Sequence, residues 1–224
     1  RWKDGKVETR RYWLPDFSIK IKISEAEAIE ETTRLLREAT KIRLISEVPL
    51  GAFLSGGVDS SIVAALMAEV SDRSVKTFSI GFEEQDYSEL KYARRVAEHI
   101  GAEYNEFVVR PNALEVLPVL VEHYGEPYAD SSAIPTYYVA KETRKHVTVA
   151  LNGDGGDESF AGYERYAAMK LAERYQRIPR PLRTSVIAKM AGLLPSSELK
   201  RSRIRDLKRF LNAAELPRTE RYLR

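Results

Sequence analysis

Seven residues, Ser55-Gly56-Gly57-Val58-Asp59-Ser60-Ser61, follow directly on the apolar run Val48-Pro49-Leu50-Gly51-Ala52-Phe53-Leu54. An apolar run that ends in paired glycines and hydroxyls reads as a strand feeding a tight turn and then a helix. The glycines let the backbone take positive φ and approach a ligand closely. The first amides of the helix, together with the hydroxyls of Ser55, Ser60 and Ser61, offer donors to anionic oxygens. A phosphate chain fits such a loop, and Asp59 adds a carboxylate suited to Mg²⁺. The bland alternative is a turn that merely caps a helix, with Ser60 and Ser61 in its first turn. A Walker-type loop would need a lysine after its second glycine, and a dinucleotide fingerprint would need Gly-x-Gly-x-x-Gly; neither is present here.

A second strand-like run, Val147-Thr148-Val149-Ala150-Leu151, leads into Asn152-Gly153-Asp154-Gly155-Gly156-Asp157-Glu158. Asp154 and Asp157 are three positions apart, so once a helix starts they share a face of its first turn and can converge on a hydrated cation. The helix dipole alone also favours acids at that place. A third segment, Asp130-Ser131-Ser132, precedes a predicted helix. Its hydroxyls can hold an amino-acid carboxylate at the helix N-terminus, or the segment can be a plain N-cap box. His99, His123 and His146 lack ligand spacing and cysteine partners, so no zinc site is expected.

The first loop resembles the SGGxDSS pyrophosphate loop of the ATP pyrophosphatases. Joined with the second loop and Phe160-Ala161-Gly162-Tyr163, it resembles the asparagine synthetase family, in its C-terminal synthetase domain. Ser55 to Ser61 match that family's pyrophosphate loop, and Asn152 to Glu158 match its SGEGSDE or SGDGGDE segment. Gly125 to Ser132 and Phe78 to Phe82 also look like family segments, so the resemblance spans residues 12–170. Two positions depart from the pattern. Asn152 stands where Ser is usual, a contact expected to run through the backbone, and Asp154 stands where some members carry the longer Glu.

The resemblance implies ATP and Mg²⁺ as cofactors, with aspartate and ammonia as substrates. The aspartate side-chain carboxylate would attack the α phosphate, pyrophosphate would leave, and ammonia would displace AMP to give asparagine. On that reading Ser55, Gly56, Gly57, Ser60 and Ser61 hold the leaving pyrophosphate, and Asp59 and Asp157 hold the metal. Leu54, Ile80 and Gly153 touch adenosine through the backbone, with Asn152 beside them. Asp154 polarises ammonia or the adenylate, while Asp130, Ser131, Ser132 and Glu158 face the substrate. Family members begin with a glutaminase domain whose N-terminal Cys is the nucleophile; this sequence has no Cys, so that thiolate chemistry is not carried here. Two alternatives stay open: a related amide-forming enzyme acting on another carboxylic acid, of the β-lactam synthetase or peptide cyclase type, and a non-catalytic nucleotide-binding module.

The loops must be positioned by alternating strands and helices, a pattern that demands a parallel sheet covered on both faces. The expected class is α/β: a five-stranded parallel sheet of the adenine nucleotide alpha hydrolase-like, Rossmann-like kind, with a helical C-terminal extension. Ser24 caps a long helix whose apolar stripe carries Ala28, Leu35, Leu36, Ala39, Ile42 and Ile45. Strands are expected at 49–54, 75–82, 104–109 and 147–151, and helices at 58–70, 87–100 (ending at Gly101), 113–124 and 134–145. Right-handed crossovers set the first and fourth strands side by side, so both glycine-rich loops meet.

With 224 residues, 43% hydrophobic, and no low-complexity tract, the chain can bury a core in one main domain. Charged residues make up 31% but leave only +3, which is no nucleic-acid footprint. The run Lys200, Arg201, Arg203, Arg205, Lys208 and Arg209 lacks interleaved aromatics, so a solvated face or an interface is preferred over RNA. With no long apolar span and no signal-peptide character, a cytoplasmic protein with no membrane segment is expected. Arg1 to Gly5 reads as a hairpin turn. Residues 1–23 are expected to be a linker left from a missing N-terminal glutaminase domain, 24–176 the synthetase domain, and 177–224 a basic helical extension, a truncated part of that domain. A homodimer is an open arrangement, and the family's catalytic lysine is not assigned.

Overall fold

The computed structural model describes residues 1–82, 89–187 and 203–223. The chain opens with an antiparallel hairpin of β1 (Trp2–Lys3) and β2 (Lys6–Val7). It turns at Asp4 and Gly5, both at positive φ, as a two-residue Asp-Gly turn requires. After an extended, solvent-exposed stretch comes α1 (Glu25–Arg43). A capping box starts it: Glu27 N–H donates to the Ser24 hydroxyl, and Ser24 N–H donates back to the Glu27 carboxylate at 2.7 Å.

The central sheet alternates with helices: β3 (Leu50–Phe53), α2 (Val58–Val70), β4 (Lys76–Phe82), α3 (Leu90–Ile100) and β5 (Glu103–Val109). Then follow α4 (Ala113–Tyr124), α5 (Ala133–Thr143), β6 (Val149–Leu151), α6 (Gly156–Phe160) and α7 (Glu164–Tyr175). The sheet is parallel, in the order β5-β4-β3-β6. Among the described residues it has four strands, so the expected fifth is corrected; no further segment pairs onto either edge. Gly101 ends α3 in the left-handed conformation as expected. The expected helical start at Tyr87, together with Lys200 and Arg201 of the basic run, lies outside the described residues.

Strand alternation divides the two faces. Ala52 and Leu54 face α2 and α3, where they join Ala64, Met67, Val75, Ala93 and Ala97 in the main core. Phe53 and Phe78 stand on the other face, which α5 covers. Gly51 is glycine because a Cβ there would meet the Phe78 ring at 2.5 Å. The α1 stripe departs from expectation. This helix packs on α2 and not on the sheet, so Ala28, Leu36 and Ala39 are half-buried while Leu35, Ile42 and Ile45 are exposed. Beyond α7, the helix Arg203–Ala214 packs on α7, and Arg183 is tied to Glu215 at 2.5 Å.

The first and fourth strands of the parallel sheet lie side by side, with Leu50 opposite Val149 and Ala52 opposite Leu151. From β3 the chain proceeds to β4 and β5 on one side of it and then crosses to β6 on the other. This is a topological switch point, where the carboxyl ends of strands in open α/β sheets leave a crevice.

Candidate active site

The first loop leaves β3 at Leu54 and turns at Gly56, where φ is 83°. A Cβ at Gly56 would lie 2.5 Å from Ala93 N and 2.7 Å from Tyr92 Cβ, so the loop is pressed onto the start of α3. Its hydroxyls bond among themselves. Ser55 Oγ and Ser60 Oγ are 2.8 Å apart, and Gly57 N–H donates to Ser55 Oγ at 3.1 Å. Ser61 Oγ donates to the Gly57 carbonyl at 2.6 Å. Gly57 is the N-cap of α2 and supplies no side chain, so among the described residues no side chain caps the first amides of this 13-residue helix, which suit an anion.

The second loop fits against the first by close contact at its glycines. A Cβ on Gly153 would stand 2.6 Å from Ser60 N and 2.8 Å from the Asp59 carbonyl carbon. A Cβ on Gly156 would overlap the Asp59 carboxylate, and one on Gly162 would overlap that of Asp157. Glycine at 156 therefore brings the Asp59 carboxylate up to the backbone of the second loop, and glycine at 162 brings that of Asp157 up to the chain that leaves α6. Gly155, at φ 91°, turns the chain into α6, and Ala161 adopts the left-handed conformation at its end.

A cavity of about 630 Å³ lies where the loops meet. It is lined by Ser55, Asp59 and Ser60 from the first loop, and by Asn152, Gly153, Asp154, Asp157 and Glu158 from the second. Asp130 and Ser132 reach it from a third segment. Ser131, Leu54, Gly56, Gly57, Ser61 and Ile80 are not among the lining residues. Leu54 is 1% exposed; its N–H donates to Phe78 O, and its carbonyl accepts from the Ser79 hydroxyl at 2.5 Å. That backbone is thus committed to β4.

The third segment forms a turn ahead of α5, and Ser132 at the N-cap makes no side-chain capping bond, so the expected N-cap box is not formed. Asp130 Oδ1 accepts from Ser132 N–H at 2.8 Å, which holds the carboxyl below its usual range, and the same two residues line the cavity. The Tyr163 hydroxyl donates to Glu158 Oε1 at 2.5 Å. This bond lowers the Glu158 pKa and pushes Tyr163 up to about 12. Sequence reasoning did not assign Tyr163, although it stands in the quoted Phe160 to Tyr163 segment. Nor did it assign Tyr124 and Tyr128, whose rings stack 4.2 Å apart on the cavity wall. No local spacing signals that pair, because a loop separates the two residues.

Among the described residues the lining carries five carboxylates and no lysine or arginine. A phosphate chain entering it needs a cation to offset that charge. Among the described residues, no group of three or more acidic or histidine side chains could hold a metal ion by itself. The donor set fits Mg²⁺ nonetheless, since this ion is usually bound through one or two carboxylates together with phosphate oxygens and water. Asp59 and Asp157 would hold it, and the absence of a Cβ at Gly156 keeps the space that the Asp59 carboxylate occupies.

The asparagine synthase family model matches residues 31–224. The chain belongs to the asparagine synthase family. It is 37% identical over 193 residues to asparagine synthetase [glutamine-hydrolyzing] 1 of Bacillus subtilis, covering 86% of this chain and 30% of that protein. To the putative asparagine synthetase [glutamine-hydrolyzing] 2 of Methanocaldococcus jannaschii it is 41% identical over 183 residues, covering 80% of this chain and 35% of that protein. An NH3-dependent NAD synthetase from Campylobacter jejuni superposes with a TM-score of 0.41 at 17% identity, over 60% of each chain. The chain spans about a third of the length of these curated relatives. Among the described residues of this asparagine synthase family member, no helix is long and apolar enough to cross a membrane.

Proposed function

We propose that this chain carries the ATP-dependent half of an asparagine synthetase. It would activate the side-chain carboxylate of aspartate as an acyl adenylate, which ammonia then converts to asparagine. One observation carries the reading: the phosphate-type loop, the second acidic loop and the Asp130-Ser132 segment line one cavity at the switch point of the sheet. The family match supports it.

In this reading the first amides of α2 and the hydroxyls of Ser55 and Ser60 bind the β and γ phosphates. Mg²⁺ held by Asp59 and Asp157 would offset the charge that builds on the leaving pyrophosphate. An aspartate carboxylate oxygen bonds to the α phosphorus as the bond to the β-phosphate oxygen breaks. Ammonia nitrogen then attacks the acyl carbon, the acyl carbon-oxygen bond breaks, AMP departs, and Asp154 takes the proton that the nitrogen releases. Ser132, at the start of α5, receives the amino-acid carboxylate, and Asp130 or Glu158 receives its ammonium group. With no cysteine in the sequence, the ammonia reaches this site from elsewhere. The setting proposed for the enzyme is the cytoplasm.

The full-length protein, given ATP, Mg²⁺ and ammonia, should release pyrophosphate only when aspartate is present, and mass spectrometry should find asparagine and AMP. Release with a different carboxylic acid in place of aspartate would keep the adenylation chemistry and reject the substrate.

A further inference from the structure

Asn152 and Asp154 are joined by two hydrogen bonds. The Asn152 amide Nδ2 donates to Asp154 Oδ2 at 2.7 Å, and the Asp154 N–H donates to Asn152 Oδ1 at 3.3 Å. Both residues line the cavity. The first bond is charge-assisted and fixes the carboxylate; the second holds the turn that carries it. Asp154 Oδ1 has no hydrogen-bond partner among the described residues, so one oxygen is held and the other is left for a ligand. From these bonds we infer that Asn152 is a positioning residue for Asp154. This rests on the proposed role of Asp154 in amide formation.

The residue types explain each other. An aspartate at position 154 has one methylene fewer than a glutamate, so its carboxylate reaches less far and depends more on what aims it. An amide carries its donor and acceptor on separate atoms, so Asn152 makes both bonds without competition at a single oxygen. A serine there would offer one oxygen on a shorter side chain. Asn152 thus holds the short acid at 154 through both atoms of its side-chain amide.

The test separates the two half-reactions in the full-length protein. Aspartate-dependent exchange of pyrophosphate into ATP reports adenylation, and asparagine formation from ammonia reports the second step. Asn152→Ala should keep exchange within about twofold and slow asparagine formation about tenfold, the size of one charge-assisted hydrogen bond. Combining Asn152→Ala with Asp154→Ala should cost no more than Asp154→Ala alone, because Asn152 acts through that carboxylate. Equal losses in both half-reactions, or additive losses in the double variant, would overturn the inference and make Asn152 a loop-shaping residue only. An unmodified protein with no aspartate-dependent exchange would overturn the adenylation reading as well, an outcome distinct from losses seen only in the variants.

Discussion

The carboxylate of Asp59, in the first turn of α2, packs against the α-carbon of Gly156, at the start of α6, so closely that no side chain fits at 156. Two loops that are far apart in sequence are brought together at this contact. Gly153 repeats the relationship one turn away, but against the backbone of Asp59 and Ser60.

The two glycines should therefore fail differently. In Gly156→Ala the obstructing group is the end of a rotatable side chain, so Asp59 swings aside and the fold persists while the cation site is lost. We expect ATP affinity in the presence of Mg²⁺ to fall at least about tenfold, with an unfolding midpoint within about 2 °C of the parent protein. In Gly153→Ala the obstruction is backbone, so helix α2 must shift and both affinity and stability fall. Calorimetric titration and thermal unfolding of the two variants read the difference.

Asp59→Asn and Asp157→Asn each remove one charge from the proposed pair of metal ligands. The Mg²⁺ concentration for half-maximal pyrophosphate release should rise about tenfold or more in each, with little change in the unfolding midpoint. Unchanged Mg²⁺ dependence in both would remove these acids from the metal site.

Ser79 is 3% exposed, and its hydroxyl is the hydrogen-bond donor to the Leu54 carbonyl where β3 gives way to the first loop. Ser79→Ala leaves that carbonyl buried without its partner and should cost about 1 to 3 kcal/mol, read by denaturant unfolding. Leu54→Ala, in the main core, should cost about 2 to 5 kcal/mol.

Much of this arrangement was legible in the sequence because glycine spacing and apolar runs are local signals. The strand-loop-helix unit at Leu50 to Val70 and the pairing of β3 with β6 follow from them. The second loop's contact with Asp59 was not legible, because nothing in Gly153 or Gly156 says which side chain will press on it. The Tyr124 and Tyr128 stack and the Tyr163 bond to Glu158 are tertiary, made by residues whose types alone equally suit a surface. The exposure of Leu35, Ile42 and Ile45 was also hidden, since an apolar stripe does not say how wide its partner is. The expected fifth strand has no counterpart among the described residues, as a four-stranded unit already brings both loops to the switch point.

The Tyr163 bond gives a pH signature. Tyr163→Phe removes a donor to an ionised carboxylate, so the variant should be less stable than the parent between about pH 5 and pH 9. Glu158 is depressed below its ordinary 4.5, so its contribution is present above that value and lost as the pH falls through the lowered pKa. Tyr163 is raised from 10.0 to about 12, so its contribution is complete below pH 10.0 and lost as the pH rises towards 12. The stability gap between variant and parent should close at both ends; a gap that is constant across pH would reject the bond between Tyr163 and the Glu158 carboxylate as its source.

The central claim is that an aspartate oxygen becomes bonded to the α phosphorus in this cavity. Aspartate labelled with ¹⁸O in its side-chain carboxylate, supplied to the full-length protein with ATP, Mg²⁺ and ammonia, tests it directly. One labelled oxygen should appear in AMP and none in pyrophosphate, because that oxygen stays on phosphorus when ammonia breaks the acyl carbon-oxygen bond. Asparagine formed with unlabelled AMP, or label recovered in any phosphate other than the α, would contradict the account.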